Sequence, residues 1–190
     1  MNYFVNSNQS PESFRLWVGE EGLKVYEEIH QNRDNRNLHV AFLPGVFYGT
    51  FMIMPALIPK LPAWLIVFTI MLSYTIFYAS FDIEGAIYAF FFTLPSATMA
   101  LHSHSNGKNS VYRNFKVGLI YLIVSLGIQE VFGHFYLEKI PSRLTLSYVT
   151  NAIIYSPLFY AKNIVTMIPA VIMNTGCLLF FSLILYIFID

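Results

Sequence analysis

Five histidines stand at the ends of apolar runs in this chain: His30, His39, His102, His104 and His134. Neutral imidazole is a good ligand for iron, copper or zinc, and three imidazoles leave coordination positions open for substrate and oxygen. The plainer reading is that a histidine at a headgroup interface is comfortably solvated; for any one of them alone, structure outweighs ligation. Glu130, His134 and Glu138 follow at i, i+4 and i+8, which on an α-helix lines them along one side. A charged side chain at the centre of a membrane span costs about 2.5–3.5 kcal/mol, so such a group invites a function. The alternative is an interfacial cluster that only marks where the helix meets water. Gly133, beside His134, lets another backbone come close.

His30 and His39 are nine residues apart, half a turn out of alignment on one uninterrupted helix. The polar stretch from Gln31 to Asn37 removes that objection, because it reads as a loop. His30 then ends one helix, and His39 lies in the first turn of the next, with Asp34 or Asn35 starting it. Asn35, four residues before His39, is placed either to cap that helix or to hold an imidazole in one tautomer.

The elements that position these residues are apolar. Of 190 residues, 56% are hydrophobic, 17% aromatic and only 12% charged, about half the charged fraction of an ordinary soluble domain. The expected fold class is therefore all-α, a polytopic transmembrane helix bundle of about four to six spans. An amphipathic N-terminal helix over 12–30 lies before the membrane. The apolar runs fall at about 38–58, 63–81, 85–101, 117–134, 146–161 and 164–189. The fifth contains Asn151, Ser156 and Pro157 and reads as a kinked or re-entrant helix. Pro59, Lys60 and Pro62 mark one tight turn, and Asp82 with Glu84 the next, so the first three helices must be antiparallel neighbours. The longest polar interruption runs from His102 to Lys116. Three units follow: a polar segment 1–37, a transmembrane core 38–163 and an extra C-terminal helix 164–190.

Eleven basic and eleven acidic residues balance, which gives no electrostatic case for nucleic acid. The lone Cys177 excludes an intrachain disulfide and a multi-cysteine metal site, and no cleavable signal peptide is evident. Four candidate crossings separate His39 from His134, an even number, so both return to the face that holds His30. His102 and His104 then sit at the opposite face. The positive charge of Lys108, Arg113 and Lys116 draws that loop toward the cytoplasm and stands in tension with the shared site.

The segment from Tyr26 to His39, followed by Pro44, resembles the signature of the 2-hydroxy fatty acid dioxygenase family of the fungal endoplasmic reticulum. That signature reads His, four residues, Asn, three residues, His, then an apolar stretch with Pro at its fifth position; His30, Asn35, His39 and Pro44 fit it. A second family element, a Gly-His pair ending a late apolar helix with Glu-Lys and Pro after it, is similar to Gly133-His134, Glu138-Lys139 and Pro141, the Pro one residue early. Ser156-Pro157-Leu158-Phe159 is a third echo, without the acidic residue that often follows near Lys162 and Asn163. The resemblance covers roughly 23–163.

The resemblance implies an iron(II)-dependent enzyme of fatty acid α-oxidation, active in phytosphingosine breakdown. Its partners are a long-chain 2-hydroxy fatty acid, O2 and the lipid bilayer. It implies His30, His39 and His134 as Fe(II) ligands and places Asn35 and Glu138 in the catalytic machinery. The family carries more histidines than these three, leaving a fourth position to His102, to His104 or vacant. Two other classes remain open: a non-enzymatic membrane protein that organises lipids or partner proteins, and a different metal-dependent lipid enzyme such as a hydrolase or hydroxylase.

Overall fold

The computed structural model describes residues 30–105, 111–139, 154, 156 and 157, and among these every regular element is helical. Helix α1 spans Arg33–Leu57. Its N-cap is Asn32, whose Oδ1 accepts hydrogen bonds from the backbone N–H of Asp34 at 2.8 Å and of Asn35 at 3.2 Å. Neither Asp34 nor Asn35 begins the helix, as the sequence suggested. An N-cap needs extended backbone, which Asn32 has at φ −73° and ψ 125°, and Asp34 instead favours the positive end of the helix dipole from within the first turn. The stretch that reads as a loop is therefore largely the opening turn of α1.

Helix α2 covers Ala63–Ala79 and helix α3 Ile83–Ser105, joined to their predecessors by the expected short turns. Asp82 Oδ1 accepts from Gly85 N at 2.8 Å and so caps α3. Helix α4 covers Val111–Ile128 and continues without a break into a π-helical segment, Gln129–Glu138. The polar interruption between His102 and Lys116 is shorter than its composition suggests. Helix α3 runs on to Ser105 and α4 starts at Val111, so each end of that stretch is wound into a helix.

Helix α1 is the centre of the bundle, packed against α4, α3 and α2. Its crossing with α4 is a backbone-to-backbone contact. A Cβ at Gly49 would stand 2.7 Å from the carbonyl oxygen of Gly118, and one at Gly118 would stand 2.7 Å from that of Gly49. Gly45, one turn earlier on the same face, meets Ser125. Gly45-x3-Gly49 against Gly118 and Ser125 is the small-residue interface by which apolar helices approach closely. Around it Phe47, Tyr48, Phe51, Met52, Tyr78 and Tyr121 fill the interior.

The outside is apolar as well. Trp64, Phe68, Leu72 and Ile76 form an exposed stripe on α2, Ile83, Ile87 and Phe91 one on α3, and Phe132, Phe135 and Tyr136 face outward from the π segment. Two helices, Arg33–Leu57 and the continuous 28-residue Val111–Glu138, are long and apolar enough to cross a membrane; Ala63–Ala79 is apolar but shorter. The expected amphipathic helix before His30, the terminal run 164–189 with Cys177, and most of the run 146–161 lie outside the described residues. Of the last, Ile154, Ser156 and Pro157 are helical, and the Tyr78 hydroxyl donates to the Ile154 carbonyl.

Candidate metal centre

The start of α1 and the end of α4 meet at one end of the bundle, and there the chain gathers three histidines. His30 precedes the α1 cap, His39 lies in the second turn of α1, and His134 sits in the π segment. All three are buried, 2%, 3% and 9% exposed. Their ring centroids form a near-equilateral triangle of 4.9 Å (His30–His39), 4.8 Å (His30–His134) and 5.1 Å (His39–His134). The ring planes are inclined at 74–86° to one another, so the imidazoles meet edge to face and do not stack. One nitrogen from each falls within 4.8 Å of the others. Bonds of about 2.0–2.1 Å around one tetrahedral ion set two donors about 3.4 Å apart, so the widest pair would close by roughly 1.4 Å on binding.

The surroundings fix these rings. His39 Nδ1 lies 3.0 Å from the backbone carbonyl oxygen of Asn35. A carbonyl only accepts, so Nδ1 carries the proton and the lone pair is on Nε2, the tautomer usual in a metal-binding histidine. The Asn35 side chain turns the other way, and its Nδ2 donates to Glu138 Oε1 at 3.0 Å. The same oxygen accepts from the backbone N–H of Asn32 at 2.9 Å, and Asn32 Nδ2 donates to the Leu137 carbonyl at 3.1 Å. Glu138 thus clamps the last turn of the π segment to the first turn of α1. Asn35 and Glu138 belong to the layer behind the histidines.

Gly133 gives the close approach its position suggested, though the neighbours are side chains. A Cβ there would overlap Asn35 Oδ1 and stand 3.0 Å from His39 Cε1. Asn35 Oδ1 is itself buried without a hydrogen-bond partner. The donor set fits a metal ion of imidazole preference: three neutral-capable nitrogens of buried rings converge, one with its tautomer already chosen. Neither Glu130 nor Glu138 joins the cluster of potential ligands.

His102 and His104 lie elsewhere. His104 Nε2 donates to the Phe51 carbonyl at 3.2 Å and its Nδ1 accepts from Asn114 Nδ2 at 2.9 Å, so both nitrogens hold helices together. Phe51 is twelve residues beyond His39 on α1, about 18 Å along the axis. His102 is exposed in the same last turn of α3. Neither completes the three-histidine cluster, and the two clusters occupy opposite ends of the bundle as the even crossing count requires.

Sequence reading passed over two residues here. Asn32 is both cap and tether, and its signal was an Asn set two residues before an acidic first-turn Asp34. Gln129 is a buried amide in an otherwise apolar run. No protein-family model, curated protein or solved structure matches the chain.

Proposed function

We propose that this protein is a membrane-embedded, iron(II)-dependent dioxygenase. It cleaves long-chain 2-hydroxy fatty acids to acids one carbon shorter, a step of phytosphingosine breakdown expected in the endoplasmic reticulum. The observation that carries the reading is the meeting of His30, His39 and His134 in one buried triangle. These are the histidines of the two sequence signatures, more than ninety residues apart in the chain.

In this reading His30, His39 and His134 hold the iron, and Asn35 orients His39 through its carbonyl while Glu138 holds the two helix ends in register. A metal bound there would supply Lewis-acid and oxygen-activating chemistry to the 2-hydroxy acid. The bond between C1 and C2 breaks, C2 becomes the new carboxyl carbon, C1 leaves as carbon dioxide, and the four electrons removed reduce oxygen. Burial of the three rings would shield the reaction from bulk water, which limits side reactions. The exposed apolar stripes on α2, α3 and the π segment are suited to acyl chains, so a long-chain acid reaches the site from the bilayer.

The test is anaerobic reconstitution with Fe(II), metal analysis, then 2-hydroxypalmitate with O2. One iron per chain and stoichiometric pentadecanoate are expected. Iron binding without turnover would shift the reading to another metal-dependent lipid enzyme, and absence of stoichiometric metal would sink it. His30→Ala, His39→Ala and His134→Ala should each abolish metal retention while circular dichroism stays helical; near-normal iron in one variant removes that residue from the ligand set.

A further inference from the structure

The π segment buries three of its side-chain positions, Gln129, Gly133 and His134. Gly133 faces Asn35 and His39 on α1, and His134 completes the histidine triangle. Gln129 therefore shares the inward face of the site's own helix, one turn deeper into the bundle. A π-helix pairs residues i and i+5 through the backbone, the separation of Gln129 and His134, so the winding itself ties the amide's position to the imidazole's.

Gln129 is 4% exposed, and its Nε2 is buried without a hydrogen-bond partner. Buried amide donors are nearly always paired, and one that is not points to a missing acceptor. Glu130, next in sequence, also buries an unpartnered oxygen, Oε2, but as a carboxylate it accepts and does not suit an anion.

We propose that Gln129 is the residue that reads the acid: its Nε2 donates a hydrogen bond to a carboxylate oxygen of the ligand held at His30, His39 and His134. This rests on the 2-hydroxy-acid reading above. Gln129 is a positioning and specificity residue, because its amide selects an anionic oxygen over a neutral hydroxyl at the same place. A hydrogen bond to a charged group is the stronger kind, so its loss weakens binding about 10- to 100-fold.

The full chain in detergent, loaded with Co(II), is titrated with 2-hydroxypalmitate and with 1,2-hexadecanediol, and the cobalt visible band is followed. The diol keeps two vicinal oxygens but has no carboxylate. In the wild type the acid should bind more tightly. Gln129→Met, close in size and apolar, should weaken the acid about tenfold or more while cobalt and diol affinities stay unchanged. Gln129→Glu sets a negative charge against the carboxylate and should weaken the acid further, which keeps the test valid if the Met variant does not fold. Equal weakening of acid and diol would reduce Gln129 to packing, and loss of cobalt would make it a support for the ligands; either overturns the proposal. Unchanged acid binding in the variants, with a wild type that binds cobalt and acid, refutes Gln129 alone. A wild type that binds neither refutes the underlying reading.

Discussion

Asn35 holds the site with two different parts of itself. Its backbone carbonyl fixes the His39 tautomer, and its side chain ties α1 to Glu138. The two roles separate by mutation. Asn35→Ala keeps the carbonyl and loses the tie, so metal affinity should fall by about 10- to 100-fold without vanishing, as for other residues behind a ligand. Glu138→Ala removes the acceptor for both Asn32 N and Asn35 Nδ2 and should cost as much, whereas Glu138→Gln keeps an acceptor oxygen and should cost less. Competition with a chromophoric chelator measures all three; wild-type affinity in Asn35→Ala would leave the side chain a structural tie alone. At this scale His30, Asn35 and His39 stood out by type and local spacing, whereas His134, 95 residues beyond His39, joined them only through the family resemblance, which the even crossing count allowed. The sequence was silent on which nitrogen of His39 carries the proton, since that depends on a carbonyl placed by the helix, and on Gln129, whose meaning comes from burial.

Helix ends were harder to read than helix cores. Composition marked 38 and 117 as the first residues of two runs, while the helices begin at Arg33 and Val111, because caps and turns of helix tolerate polar residues that hydropathy excludes. The π winding of Gln129–Glu138 was not legible either, since i, i+4, i+8 spacing carries no sign of the extra residue per hydrogen-bonded ring. The decisive contact between elements is Gly49 on Gly118. A Cβ at Gly118 would lie 2.7 Å from the Gly49 carbonyl oxygen and 2.8 Å from Met52 Cβ and Ile53 Cγ1, and backbone cannot yield as a flexible side-chain tip would. Gly118→Leu should therefore drive α1 and α4 apart, lower the thermal midpoint and weaken metal binding at His134, about four turns away. Gly127→Ala, whose Cβ meets nothing within 4 Å, should leave both unchanged. A Gly118→Leu protein with full metal affinity would show that the site does not depend on this crossing.

Taken whole, the bundle is electrically lopsided along its axis. The site end carries Arg33, Arg36 and Lys139 together with Asp34, Asp82, Glu84, Glu130 and Glu138. The far end carries Lys60, Arg113 and Lys116, and no acidic residue is among the described positions of the α1–α2 turn or of the facing ends of α3 and α4. Basic residues near span ends prefer the cytoplasm, but the described positions carry three at each end and acidic residues weigh little in that bias, so thiol labelling, and not the charge count, assigns the sides. The tension between charge and site that the sequence posed disappears once His104 is seen bonded to Phe51 and Asn114, because the basic loop then owes nothing to the metal centre. Single cysteines in a Cys177→Ser background test this with an impermeant thiol reagent on sealed vesicles. Cysteines at exposed Asp34, Glu84 and Lys139 should react from one side, and cysteines at exposed Lys60 and Ser105 from the other. Reaction of positions 34 and 105 from the same side would mean that the helices do not cross as an antiparallel set, and the membrane arrangement proposed for the histidine triangle would fail with it.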